Sequence, residues 1–477
     1  MIATTAIAAS TVSTSGERTR ADASLRGESG MGNASGPPWE QGGPSIILIS
    51  RPARQPRRIR AAVGAIVTPA ALSTARPFRV DRNLRLLTAL GVFTMAQPGL
   101  AIWVVYLLDF RHLTLTQVGI MEAFFWAVKL VIEVPSGAVA DRFGRRATFW
   151  LGLIIEAAGV ATFAFASNFP ILVISYTLWS AGFSFRSGND HAYIYDTLAV
   201  KDRTAEFSTR AGMYQALTTA AFTIAGIGGA WLASVTTLQV PMMLGVVPYL
   251  AGAVCLGLMQ EPPRTLGARG HLRYMQTLGI ALHALRDNRL VRFALLTQIS
   301  IETSMIAGIL LLQPFMQQHG VSLAWFGLLQ APATLGGALA AVGSARAAHA
   351  LGIRRLAAGA LITIVAGLVL LALVDHAAAY AGFIALQVAV GLATPAISGY
   401  VNDRTESSIR ATIMSVVPLG TSLTFMIVGP FAGIVGDVSL RLAFAGMAIA
   451  VLLGAGTALL LWRTAERSTI SATIRSR

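Results

Sequence analysis

The chain runs to 477 residues, of which 54% are hydrophobic and only 12% charged, with a mean hydropathy of +0.63. A soluble protein of this length needs a far more charged surface, so much of the apolar sequence must face lipid. The formal charge of +15 would suit a nucleic-acid partner, but the basic residues are scattered between apolar stretches. They therefore read as topology signals, and no nucleic-acid partner is expected.

Residues 1–80 are rich in Ala, Ser, Gly, Pro and Arg and lack sustained helical periodicity, which predicts a disordered N-terminal cytoplasmic segment. Its apolar run Ile46-Ile47-Leu48-Ile49 is too short for a signal-peptide core, and Met31 offers an alternative start. From Leu84 onward, apolar runs of about 20 residues recur, the length that crosses a hydrocarbon core about 30 Å thick. They centre near Thr94, Val131, Ala157, Trp179, Phe222, Tyr249, Ser304, Ala333, Val365, Val388, Phe425 and Ala450. The pattern predicts an all-α membrane protein with twelve transmembrane helices.

Arginine and lysine placement sets the orientation. With both termini cytoplasmic, the loops on that side hold Arg142, Arg145, Arg146, Lys201, Arg203, Arg210, Arg346, Arg354, Arg355, Arg404 and Arg410, with more in the linker and tail. The opposite loops hold only Arg111 and Arg441, so the positive-inside rule places both termini in the cytoplasm of a multi-pass inner- or plasma-membrane protein. The stretch from Glu261 to Leu290 carries Pro262-Pro263 and a basic amphipathic part from Leu272 to Leu285. It reads as a linker helix on the membrane surface. The expected division is 1–80, an N-terminal six-helix half 81–260, a linker 261–291, a C-terminal six-helix half 292–463 and a cytoplasmic tail 464–477.

An internal repeat supports two similar halves. Between spans two and three the chain reads Gly137-Ala138-Val139-Ala140-Asp141-Arg142-Phe143-Gly144-Arg145-Arg146, and the loop between spans eight and nine echoes it, with Gly144 falling on Gly352 and Arg146 on Arg354. Ser187-Gly188 recurs as Ser398-Gly399, and Arg210-Ala211 as Arg410-Ala411. In physical terms Gly137 lets a neighbouring helix approach, Gly144 permits a tight turn, and Asp141 is placed to cap a helix N-terminus.

This loop resembles the Gly-x-x-x-Asp-Arg-x-Gly-Arg-Arg/Lys motif of the major facilitator superfamily of secondary transporters, matched by Gly137, Asp141, Arg142, Gly144, Arg145 and Arg146. The likeness extends from about Leu84 to Trp462. It implies the major facilitator fold and a role for the motif as a lock that joins the halves in one state and opens in the other. The plainer reading is a positive-inside retention loop with a turn. Ser187-Gly188 through Ala192-Tyr193-Ile194-Tyr195-Asp196-Thr197-Leu198, at the end of span four, resembles a branch containing many drug or metabolite exporters, as does Glu133-Val134-Pro135-Ser136-Gly137. Asp196 is placed to pair with Arg203, Arg210 or Arg145, and Asp196, Arg210 and Arg410 are the expected cytoplasmic-face network.

Ionisable residues inside spans are costly and are functional suspects. Glu122, Lys129 and Glu133 share one face of span two, where they are read either as a self-neutralising cluster or as a proton relay. The resemblance implies that spans one, four, seven and ten line a central cavity, which makes Gln97, Arg186 and Glu302 candidates for its wall. Glu302 has no basic neighbour one turn away, which suits a proton-coupling acid. Glu156, on a peripheral span, reads as structural. The chain departs from the family's antiporter pattern: Gly226-x-Gly228-Gly229 in span five has no Gly-Pro, and Leu178 stands near the usual span-four arginine.

No nucleotide-binding Gly-x-x-x-x-Gly-Lys loop occurs. Cys255 is the only cysteine and the histidines lack metal-ligand spacing, so no metal, cofactor or enzymatic activity is expected. The resemblance implies a monomeric alternating-access transporter exporting a small hydrophobic drug-like or metabolite substrate with proton coupling. The alternatives are an importer of the same fold and, more remotely, a non-transporting membrane sensor or scaffold.

Overall fold

A computed structural model describes residues 78–187, 189–262, 285–406 and 409–475, with isolated positions 279 and 283. The N-terminal segment, most of the predicted linker helix and Gly188 lie outside the described residues, as do the side chains of Asp141 and Ala411. Among the described residues the chain is helical throughout. Ten helices are long and apolar enough to cross a membrane. Span one, interrupted at Gln97–Pro98, and span four, Phe169–Arg186, complete the twelve.

Both halves are built alike. Span two, Leu115–Phe143, starts on a capping box in which Thr114 accepts from the Gln117 amide and the Gln117 side chain accepts from the Thr114 amide. It stops at Gly144, whose φ of +94° admits a glycine at no steric cost, and span three, Arg145–Phe165, begins at once. Span eight, Phe326–Leu351, stops in the same way at Gly352, φ +79°, before span nine, Ile353–Leu373. The two glycines matched by the internal repeat thus make the same left-handed turn.

The first helix of each half is broken at a similar depth. Span one runs Val80–Met95, yields to a 3-10 turn at Pro98–Ala101, and resumes through Trp103–Val105 and a π-helical turn, Tyr106–Phe110. Pro98 lacks an N–H and its ring cannot continue the ladder. Span seven runs Arg289–Thr303, slackens into a π-helical turn at Ala307–Leu311, and ends with Leu312–Gln318. Such irregular backbone at membrane depth needs protein partners for its freed polar groups.

The remaining spans are five, Phe207–Val235; six, in two pieces, Gln239–Leu244 and Val247–Leu258; ten, Tyr380–Asn402; eleven, Val416–Val438; and twelve, Leu440–Arg475. Span twelve passes residue 463 without a break. A separate helix, Asn189–Ala199, follows span four, so the Tyr195-Asp196 stretch is not the end of that span but a short helix beyond its Ser187 turn. Side chains such as Val342, 80% exposed, and Val438, 78% exposed, cover the outside, where lipid replaces water as the solvent.

Candidate functional site

At the arginine-rich end of the bundle, the ion pairs of Arg145, Arg203, Arg210 and Arg354 stay inside one half. The Arg145 guanidinium donates to Asp196 at 2.6 Å and to Asn189 at 3.2 Å. The amides of Arg145 and Arg146 both donate to the Glu261 carboxylate at 2.8 Å, so Glu261 caps the N-terminus of span three. Arg146 also reaches the Leu256 and Gly257 carbonyls, tying the loop to span six. Arg203 and Arg210 gather on Asp81 and Glu206, and Arg354 meets Glu466 in the other half. Arg410 donates to the Thr405 carbonyl. Asp196, Arg210 and Arg410 therefore join three separate clusters, not one network. Arg142 closes span two in its last helical turn. A Cβ on Gly137 would meet nothing within 4 Å, so in this conformation no helix uses the close approach that glycine allows.

The arginine-poor end is the opposite case, because there the halves are bonded to each other. The side chain of Gln313, in span seven, enters the break in span one. Its Oε1 accepts from the Val104 amide at 2.9 Å and the Val105 amide at 3.4 Å, and its Nε2 donates to the Leu100 carbonyl at 3.2 Å. One side-chain amide thus stands in for the Val104-to-Leu100 helical bond. At the end of span eleven, the Asp437 carboxylate accepts from the Leu115 amide at 2.7 Å, the Thr116 amide at 2.9 Å and the Thr116 hydroxyl at 2.5 Å. A carboxylate there also meets the partial positive charge of span two's N-terminus. Gln317 donates to Asp109 across the same seam. Spans two and eleven are nearly in backbone contact: a Cβ on Gly433 would fall 2.3 Å from the Leu115 carbonyl oxygen, and one on Gly119 2.5 Å from that of Gly429. Only glycine admits this spacing.

Between the two ends lies a cavity lined by Glu122 and Trp126 of span two, Ile306, Ile309 and Leu310 of span seven, and Phe425 and Gly429 of span eleven. The Trp126 and Phe425 rings, from opposite halves, meet edge to face with centroids 4.7 Å apart. The Trp126 indole N–H donates to Glu122 at 3.2 Å. One turn further along span two, the buried Lys129 ammonium lies 4.8 Å from the Trp126 ring and 5.9 Å from that of Phe183. It forms no ion pair among the described residues. Glu302 is 2% exposed and accepts from Gln298 at 3.1 Å and from the Thr421 hydroxyl at 2.9 Å. Gln298 in turn meets Ser398 of span ten at 3.2 Å. Lys129 and Glu302 lie close enough across the seam to interact electrostatically without touching.

The candidates read from the sequence fall in different places. Glu302 and Lys129 come together at the centre, one from each half. Glu133 is exposed and makes no contact ion pair with Lys129 among the described residues, but its charge acts on Lys129 ahead of that of Glu302. Arg186 is taken up inside the N-terminal half: it bonds Glu156 at 3.0 and 3.3 Å and lies 4.0 Å from Asp190. Tyr249 also donates to Glu156, at 3.0 Å. A buried bidentate pair of this kind holds spans three, four and six together. Gln97 sits at the span-one break, bonded to the Thr94 carbonyl at 3.3 Å. It borders a second pocket with Trp103, Trp179 and Met242, all of the N-terminal half.

Sequence reasoning passed over Gln313, Thr421 and Asp437. Their signal was faint: an amide in an apolar run, and a carboxylate at a span end with no arginine beside it.

The Major Facilitator Superfamily model matches residues 85–388 and 293–476. The chain belongs to that superfamily. This makes it a transport-family protein and not an enzyme. Among solved structures, the nucleoside transporter NupG superposes with a TM-score of 0.63 at 13% identity, covering 80% of this chain and 97% of that one. A bacterial homolog to the human lysosomal transporter Spinster, in an inward-facing and unoccupied conformation, superposes with a TM-score of 0.62 at 17% identity, covering 82% and 98%. These likenesses show the fold. Three relatives from Bacillus subtilis (strain 168) match over shorter stretches. The uncharacterized MFS-type transporter YxaM is 29% identical over 24% of this chain and 27% of its own length. Multidrug resistance protein 1 is 28% identical over 32% and 38%, and the minor myo-inositol transporter IolF 30% over 18% and 20%. The chain thus spans well under half the length of the curated relatives it matches.

Proposed function

We propose that the protein is a secondary active transporter that works by alternating access, rocking the halves 81–260 and 292–463 about the linker 261–291. The observation that carries this reading is the asymmetry of the seam. The halves are hydrogen-bonded to each other at the arginine-poor end, while the ion pairs of Arg145, Arg203, Arg210 and Arg354 at the arginine-rich end stay within a half, with a charged, aromatic cavity between. The positive-inside rule turns the arginine-rich end to the cytoplasm of a cell membrane, with both termini inside. The conformation is then closed outside and parted inside. In this cycle the motif of Gly137, Asp141, Arg142, Gly144, Arg145 and Arg146 serves as the lock of the cytoplasmic end; in the conformation described, Arg145 and Arg146 are bonded within their own half.

The working direction we propose is export of a small hydrophobic drug-like or metabolite substrate by a monomer, with protons as the coupling ion. The aromatic wall of Trp126 and Phe425 supports such a substrate, and the buried carboxylates Glu122 and Glu302 support proton exchange. Import is the second reading, favoured by the myo-inositol relative. The test is uptake by proteoliposomes of fixed orientation under an imposed pH gradient. Gradient-driven flux that Glu302→Gln abolishes at normal protein abundance, with exchange without a gradient retained, supports the reading. Unaltered pH-driven flux in that variant removes Glu302 from coupling, and no flux of any tested solute at either gradient polarity counts against transport.

A further inference from the structure

Two helix breaks meet inside the N-terminal half. Span one yields at Gln97–Pro98, and span six is interrupted between Leu244 and Val247. The pocket between them has Trp103, Phe163, Trp179 and Met242 in its walls, and it shares no lining residue with the seam cavity of Trp126 and Phe425. One ring supports the three aromatic walls: Tyr176, 1% exposed, has its centroid 6.1 Å from that of Trp103, 5.8 Å from Phe163 and 5.7 Å from Trp179. None of the lining residues is ionisable. Glu156, one turn before Val160 of the wall, is taken up by Arg186 and Tyr249. Gln97 is 6% exposed, and its Nε2 donates to the Thr94 carbonyl at 3.3 Å. That bond fixes which way the amide points and turns Oε1 the other way, where it accepts no hydrogen bond among the described residues. Gly245 faces this oxygen: a Cβ there would lie 3.0 Å from it, so the glycine keeps the space in front of it free.

We propose that this pocket is a second binding site, for a small neutral aromatic molecule carrying one hydroxyl or N–H donor, and that its occupant is a resident ligand and not the cargo. A buried amide oxygen without a donor is costly, and no neighbouring side chain supplies one. An aromatic ring packs against the indoles of Trp103 and Trp179 and the soft thioether of Met242, while its single donor meets Gln97 Oε1. A charged molecule would sit there without a counter-ion, which selects against it. The non-atom space is about 350 Å³ with the open side included, which sets the scale of the occupant at one substituted ring. Every wall belongs to the N-terminal half, so rocking of the halves carries the pocket along as a body and does not expose it to each side in turn. That last step rests on the transporter reading above; the site itself does not.

The test uses para-fluorophenol and para-difluorobenzene, rings of nearly equal size of which only the first has a donor. Binding to the purified full-length protein in nanodiscs is read by fluorine NMR, against protein-free nanodiscs to remove partition into lipid. The wild type should bind the phenol about two- to ten-fold more tightly, the scale of one net neutral hydrogen bond. Gln97→Leu should bind the two probes alike, and Phe425→Ala, in the seam cavity, should keep the preference. Asp437→Asn, which loosens the clasp between the halves, should leave the phenol's affinity unchanged. Equal binding of the probes by wild type overturns the proposal without recourse to any variant. So does a preference that survives in folded Gln97→Leu or disappears in Phe425→Ala. If Asp437→Asn alters the affinity, or proteoliposomes accumulate the phenol under a gradient, the resident-ligand claim falls and the transporter reading stands. If the preference follows Gln97 while no solute of any kind is moved, the transporter reading falls and the site stands.

Discussion

Replacing Gln313 by leucine keeps roughly the side chain's bulk but withdraws the amide that bridges the broken first span. In the conformation described, the Val104 N–H and the Leu100 carbonyl would then be left buried without their partner, and the longer Val105 contact is lost as well. Two good hydrogen bonds at a net ~0.5–1.5 kcal/mol each give a loss of about 1–3 kcal/mol. When the arginine-poor end opens, water can reach the same groups, so the open state loses little. The equilibrium between the two states should therefore move toward opening at that end by about 5- to 150-fold. Spin labels at His112→Cys and Ser439→Cys, in a Cys255→Ser background, flank the seam between loops one–two and eleven–twelve. Pulsed dipolar distances should show one short population in the parent and a growing longer one with Gln313→Leu. An unchanged distribution in a stable, folded variant would refute the argument, because it would mean that Gln313 fills space without holding the halves.

Asp437→Asn should act in the same direction through the other clasp, by about 1–2 kcal/mol, since it weakens the span-two cap and removes the charge that meets its dipole. The same spin-label pair reads it, and a shift toward the closed state would contradict it. Arg145→Ala should leave membrane abundance near normal and reduce transport strongly, because Asp196 loses its partner and the loop loses its hold; wild-type flux at matched expression would reduce the motif to a retention signal. Asp375, in the loop after span nine, bonds Arg441 and His319, and these partners hold its carboxyl below the ordinary carboxylate range. A carboxylate with a lowered native pKa stabilises the fold above its unfolded-state value near 3.9, and that contribution disappears as pH falls through the native value. The unfolding-temperature gap between wild type and Asp375→Asn should thus be full at pH 6 and close on acidification below about 4; a gap independent of pH would exclude the charge as its source.

The sequence alone determined the number of spans, their division into two halves and the turns that join them. Span length answers to bilayer thickness, and loop arginines answer to the side of the membrane. Both are local properties that need no knowledge of neighbours. The match of Gly144 with Gly352 likewise rests on backbone conformation at single residues. What each buried charge does could not be read in this way. Arg186 and Glu302 look alike in sequence, each an ionisable residue in a span expected to line the cavity. Only packing shows that Arg186 is spent on Glu156, thirty positions away, while Glu302 faces Lys129 from the other half. The clasps of Gln313 on span one and Asp437 on span two join residues more than two hundred and more than three hundred positions apart. Their chemistry comes from backbone groups freed by a helix break or a helix end, which any residue type can present. The partner of a freed amide is chosen by tertiary geometry, and no side-chain pattern along the chain announces it.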